Sequence, residues 1–81
     1  MKSKVIVYGT ETCPWCGVVK QWLREHNINF EYKDVNSDRD SAREMIQKSG
    51  QTGVPVIDAN GEIIVGFDED GLRSALGIED E

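Results

Sequence analysis

Two cysteines, one histidine, two prolines and two each of tryptophan, tyrosine and phenylalanine are all that this 81-residue chain holds of the residues that staple small folds, ligate metals or break elements. Each shortage excludes something. A structural zinc site takes four Cys or His ligands. Here Cys13 and Cys16 have only His26 to join them, about three helical turns and roughly 15–20 Å from Cys13. No metal site is expected. The loop that a Cys13–Cys16 bridge would close is too short to brace a fold, so these cysteines are not a disulfide framework. Long apolar runs are missing as well. No stretch approaches the ~20 residues of a membrane span. The first run, Val5-Ile6-Val7-Tyr8, falls short of the roughly 7–15 residues of a secretory signal core. The expected location is the cytoplasm. Basic residues are scarce too, 9 against 15 acids for a net charge of −6. That balance argues against nucleic acid or an anionic membrane surface as partner, because either wants clustered Lys and Arg.

With 38% apolar and 30% charged residues, the chain reads as one globular domain over 1–81, expected to be a monomer. Its charge is uneven. Residues 1–50 hold 7 acids and 8 bases, and residues 51–81 hold 8 acids and 1 base, so the net charge runs from +1 to −7.

Val5-Ile6-Val7-Tyr8 lacks alternation and suits a strand covered on both faces. From Pro14 to about Asn27, Val18, Val19, Trp22, Leu23 and His26 recur at helical spacing opposite Lys20, Gln21, Arg24 and Glu25. Thr12 or Cys13 caps this helix, and Pro14 suits its first position. Ile28 to Val35 alternates as a strand. Arg39–Ser49 reads as a second helix burying Ala42, Met45 and Ile46, with caps in Asn36-Ser37-Asp38 and a stop at Gly50. Val54–Asp58 and Ile63–Val65 flank Asn60-Gly61, a strong hairpin signal. A last helix over Asp68–Leu76 buries Leu72, Ala75 and Leu76, and the tail 79–81 is expected to fray. The order β-α-β-α-β-β-α predicts an α/β fold: a mixed four-stranded sheet with helices on both faces.

Cys13-Pro14-Trp15-Cys16 stands where the first strand hands over to the first helix. A thiolate at a helix N-terminus meets unpaired backbone N–H groups and the positive end of the dipole. Cys13 is therefore the expected nucleophile. Cys16, one turn inward and shielded, is the expected resolver of the mixed disulfide that Cys13 forms. Trp15 beside them either contacts a partner or packs, whereas Trp22 and His26 read as core or boundary residues. Lys20 and Arg24 form a solvated helix face able to guide an acidic partner.

Glu11-Thr12-Cys13-Pro14-Trp15-Cys16 after Tyr8, together with Thr52-Gly53-Val54-Pro55 and Gly66-Phe67-Asp68, resembles the glutaredoxins of the thioredoxin-fold superfamily, from Val5 to Leu76. It is most similar to the small bacterial proteins of the YruB and NrdH types. The resemblance implies a thiol-disulfide oxidoreductase acting on protein disulfides and glutathione mixed disulfides, with electrons from glutathione, as co-substrate, or from a thioredoxin reductase. No tightly bound cofactor is implied. It further implies a cis bond at Pro55 that presents the Val54 backbone to substrate. For glutathione and substrate it implies a site of Thr12, Pro14, Trp15, Gln51, Val54, Pro55, Phe67, Asp68 and Glu69. Three departures stand out: Thr10 where the family carries Lys, Gly53 for a common Thr, and Val65-Gly66-Phe67 for Gly-Gly-Cys. Losing that Lys removes a partner for the glycyl carboxylate and predicts weaker glutathione dependence. The alternative role within the family is a dimeric carrier of a [2Fe-2S] cluster held by Cys13 and glutathione, which Pro14 disfavours by stiffening the loop.

Overall fold

The computed structural model describes residues 4–78, so the tail expectation for 79–81 lies outside them. Seven elements follow in the order β1 (Val5–Gly9), α1 (Pro14–Glu25), β2 (Glu31–Asp34), α2 (Arg39–Ser49), β3 (Val56–Ala59), β4 (Glu62–Val65) and α3 (Glu69–Leu76). The strands lie in the order β2-β1-β3-β4. β1 runs parallel to β2 and antiparallel to β3, and β3 to β4. This is the mixed sheet that the element order predicts.

β1 is buried along its whole length because it sits between two helical layers. Alternation divides its side chains. Val5 and Val7 join Val19, Trp22, Leu23, Ile57, Ile64 and Leu72 in the larger core under α1 and α3. Ile6 and Tyr8 face the other way, against Met45 of α2 and Val56. Leu23 is fully buried, and its truncation to alanine should cost about 2–5 kcal/mol.

Four boundaries or faces differ from the sequence reading. α1 stops at Glu25, where His26 caps it and Asn27 turns left-handed at φ 58°. The Ile28 N–H then bonds the Leu23 carbonyl at 2.9 Å, and Ile28 and Phe30 pack on the larger core before strand pairing begins. β2 is accordingly four residues, not eight. The buried stripes are also narrower than periodicity suggests. Val18 and Ile46 are 40% and 42% exposed, and α2 instead buries Ser41, whose hydroxyl bonds Asp38 at 2.7 Å. β3 begins at Val56 because the Val54–Pro55 bond is cis and turns the chain just before it. Asn60 and Gly61, at φ 56° and 92°, make the expected tight turn. In it the Gly61 N–H reaches Asp58 Oδ1 at 2.8 Å.

Glu44 and Lys48 bond the hydroxyl of buried Tyr8, and Lys33 and Asp58 bond these two in turn. That hydroxyl donates to Glu44 and accepts from Lys48 Nζ at 2.8 Å. Lys48 also pairs with Asp58 at 2.6 Å, and Lys33 with Glu44 at 3.1 Å. The Tyr8 hydroxyl and the Lys33 ammonium hold the Glu44 carboxyl at about 2. Burial opposes the charge on Lys48, but its bond to Asp58 outweighs this and keeps its pKa above the usual lysine range. With Tyr8 itself, these residues come from four elements, and no local pattern announces them.

Candidate active site

The chain leaves β1 at Gly9, crosses Thr10-Glu11-Thr12 and enters α1 through Cys13, which is the N-cap with φ −92° and ψ 111°. Its own N–H bonds the Thr10 carbonyl at 3.3 Å, closing the turn. Its sulfur accepts the Cys16 N–H at 3.2 Å, a role that capping Ser or Asp oxygens usually fill. Pro14 occupies the first helical position, where no N–H is wanted. The cap is therefore a sulfur held by a helix-end N–H.

The two thiols are reduced and differ in setting: Cys13 is partly exposed, and Cys16 is 1% exposed. Burial, then the hydrogen bond and charge of Cys13, push the Cys16 thiol up to about 11, while the Thr10 backbone and the Lys20 ammonium pull the other way. A thiol so placed stays protonated near neutrality and attacks only when a sulfur is brought to it. Gly9 makes room for it. Any β-carbon there would approach Cys16 Sγ to 2.6 Å. Tyr32 borders the same spot, its ring under the Lys20 ammonium at 4.0 Å, its hydroxyl buried with no hydrogen-bond partner among the described residues. Burial first, then Asp34 and the nearby thiols, raises that phenol to about 12. Neither Gly9 nor Tyr32 stands out in the sequence, where Gly9 reads merely as a strand stop.

Facing Trp15 across a cleft lies the cis Val54–Pro55 bond, with Pro55 buried and its carbonyl accepting the Gly66 N–H at 2.8 Å. Trp15, Val54, Pro55, Gly66 and Phe67 enclose a cleft of about 240 Å³. Trp15 is 59% exposed and stacks on Phe67 at 6.1 Å, and Phe67 meets Trp22 edge-on at 6.4 Å. The exposed ring is thus tied to the core. Trp22 is buried and His26, half-buried, lies 4.0 Å from its ring, as the boundary reading expects.

The remaining predicted residues hold the frame. Thr12 is exposed in the turn before Cys13. The Gln51 amide is engaged by its own loop, accepting from Gly53 N at 2.7 Å and donating to Ser49 Oγ at 3.2 Å. Asp68 caps α3, accepting from Gly71 N at 3.2 Å. Glu69 pairs with Arg73 at 2.8 Å, which holds its carboxyl below the usual range. Among the described residues, no group of three or more His, Cys, Asp or Glu is placed to hold a metal ion, and no helix is long and apolar enough to cross a membrane.

Comparison with known proteins gives the same answer from another direction. Residues 5–64 match the glutaredoxin family model. The glutaredoxin-like 8.6 kDa protein of the rubredoxin operon of Clostridium pasteurianum is 46% identical over 63 residues, 78% of this chain and 84% of that protein. The glutaredoxin-like protein NrdH of Lactococcus lactis is 32% identical over 63 residues, 78% of this chain and 86% of that protein. The crystal structure of Methanosarcina acetivorans methanoredoxin superposes with a TM-score of 0.82 at 31% identity, covering 91% of this chain and 84% of that one.

Proposed function

The chain belongs to the glutaredoxin family, whose members are thiol-disulfide oxidoreductases, and from that premise we propose that it reduces disulfides by a two-cysteine exchange in which Cys13 attacks and Cys16 resolves. The single observation that carries the division of labour is the asymmetry of the two sulfurs. Cys13 is reachable and accepts a helix-end N–H at 3.2 Å, whereas Cys16 is buried, which pushes its thiol up to about 11.

The Cys13 thiolate bonds one sulfur of the substrate disulfide, and the other leaves as a thiolate that takes up a proton. Cys16 loses its proton and bonds Cys13, which releases the second substrate sulfur as a thiol. The substrate gains two electrons and the protein ends as a Cys13–Cys16 disulfide. A thiol donor, glutathione or a thioredoxin reductase, restores the dithiol. During attack the substrate backbone lies along Val54 beside the cis bond, with Trp15 and Phe67 covering it.

We propose that glutathione is the weaker of the two donors. Thr10 offers no ammonium to its glycyl carboxylate, and the Gln51 amide is engaged within its loop. Val54 and the start of α3 at Asp68 remain to hold the γ-glutamyl end. The test is a pair of turnover assays on one small disulfide, driven by glutathione with its reductase or by thioredoxin reductase. Faster turnover with thioredoxin reductase, and none in either assay after Cys13→Ser, is expected. Activity that survives Cys13→Ser rejects the mechanism, and faster turnover with glutathione rejects the donor assignment.

A further inference from the structure

A second depression, a trough of about 530 Å³, runs along α1 and borders the cleft at Pro55, with Phe67 lining both. Pro14, Gly17 and Val18 contribute to its apolar lining, and among the described residues the charged ones lining it are Glu25 and Glu69. The cations of α1 are held elsewhere. Lys20 sits 4.0 Å over the Tyr32 ring and Arg24 5.8 Å over the Phe30 ring, both on the flank that faces the β2 side. Arg73 is the nearby countercharge, engaged with Glu69 and lying 5.7 Å over the Trp22 ring. Glu25 accepts from the neutral Gln21 amide at 3.2 Å, and exposed Asp68 and Asp70 add negative charge at the same end of α3. The cations of α1 thus lie on one flank and its one acid, Glu25, on the other, where with Glu69 of α3 it borders the trough. The trough reaches along α1 to Pro14, the residue next to Cys13.

We propose that this trough receives an extended, cationic segment of the protein whose disulfide Cys13 attacks, an apolar side chain resting on Val18 and a Lys or Arg reaching Glu25 and Glu69. The inference deepens the oxidoreductase reading above and rests on it. Its reach is set by geometry. Twelve residues of helix separate Cys13 from Glu25, about 18 Å at ~1.5 Å per residue. An extended chain covers that in five or six residues at ~3.3 Å each, so the cation stands about five residues from the partner's reacting cysteine. Trp15 and Val18, 59% and 40% exposed, are two of the large hydrophobic side chains left in solvent, and such a segment covers both. A tripeptide such as glutathione is too short to span the trough and carries the wrong charge for its far end.

The test uses the full chain, reduced beforehand, in single turnover against two peptides. Each carries one central cysteine as a mixed disulfide with 2-mercaptoethanol. They are identical except for Lys or Glu at the fifth residue on both sides. At ~20 mM salt the Lys peptide should react about five-fold faster in second-order rate constant, and the ratio should fall toward one at ~0.5 M salt, where screening is nearly complete. Glu25→Gln should reduce the low-salt ratio, and Glu25→Gln with Glu69→Gln should bring it close to one. A ratio of one or less at low salt, or a preference that persists in the double variant, overturns the proposal while leaving the dithiol chemistry standing. If neither peptide nor bis(2-hydroxyethyl) disulfide reacts, or reaction survives Cys13→Ser, the oxidoreductase reading itself fails and the proposal falls with it.

Discussion

Cys16 Sγ packs directly over the α-carbon of Gly9, so closely that a β-carbon at residue 9 would lie 2.6 Å from the sulfur and 3.2 Å from Cε1 of Tyr32. The last residue of the first strand thus sets where the buried thiol sits. Gly9→Ala must displace either the sulfur or the strand, in a region with no slack. Overpacking of this kind costs about 1–3 kcal/mol. Urea unfolding of the reduced protein should show that loss, and the rate at which Cys16 closes on a Cys13 adduct should fall with it. Unchanged stability would mean that the thiol has another place to go.

Lys20 lies one turn beyond Cys16 and is the cation that eases its deprotonation. Lys20→Gln should therefore raise the Cys16 thiol further and slow release of a Cys13-bound product by about two-fold at neutral pH, with Lys20→Arg restoring the rate. Because burial pushes the Cys16 thiol up to about 11, the release rate should climb through pH 7–9 without levelling off. Stopped-flow measurement of release across that range checks both points; a plateau near pH 7 would show that Cys16 is already ionised there.

The Glu44 carboxyl stands at about 2 in the fold against 4.5 as a free group, because the Tyr8 hydroxyl and Lys33 favour its charged form. A group whose pKa is depressed on folding contributes stability above its unfolded value and loses it as pH falls through the folded one. Here the window runs from about pH 4.5 down to about 2. Solvent around this partly exposed carboxylate keeps the contribution to roughly 1 kcal/mol. Glu44→Gln should be less stable than the parent by about that much at pH 7, and the gap should close by pH 2. Chemical denaturation at pH 7, 4 and 2 measures it; a constant gap would place the effect in packing.

Much of this is legible in the residues. The unbroken run Val5–Tyr8 reads as a doubly covered strand, Asn60-Gly61 as a tight hairpin, and Cys13 as a cap, because each rests on local stereochemistry. Periodicity gives the side of a helix that is buried but not the width of the buried stripe, which is why Val18 and Ile46 come out exposed. Alternation does not say whether a partner strand is alongside, so Ile28 and Phe30 read as strand although they are spent packing under α1. The cis bond at Pro55 came from the family resemblance, not from the residues themselves. The Gly9–Cys16 packing and the Tyr8 network depend on contacts between elements far apart in sequence, and no single segment carries them.

The division of roles between the two cysteines is tested most directly by trapping. Cys16→Ser, reduced and exposed to a disulfide substrate, should accumulate one stable mixed disulfide, which intact-mass and peptide-mapping spectrometry should assign to Cys13. Cys13→Ser should accumulate essentially none on the same timescale. An adduct forming on Cys16 in Cys13→Ser as fast as on Cys13 in Cys16→Ser would contradict the account.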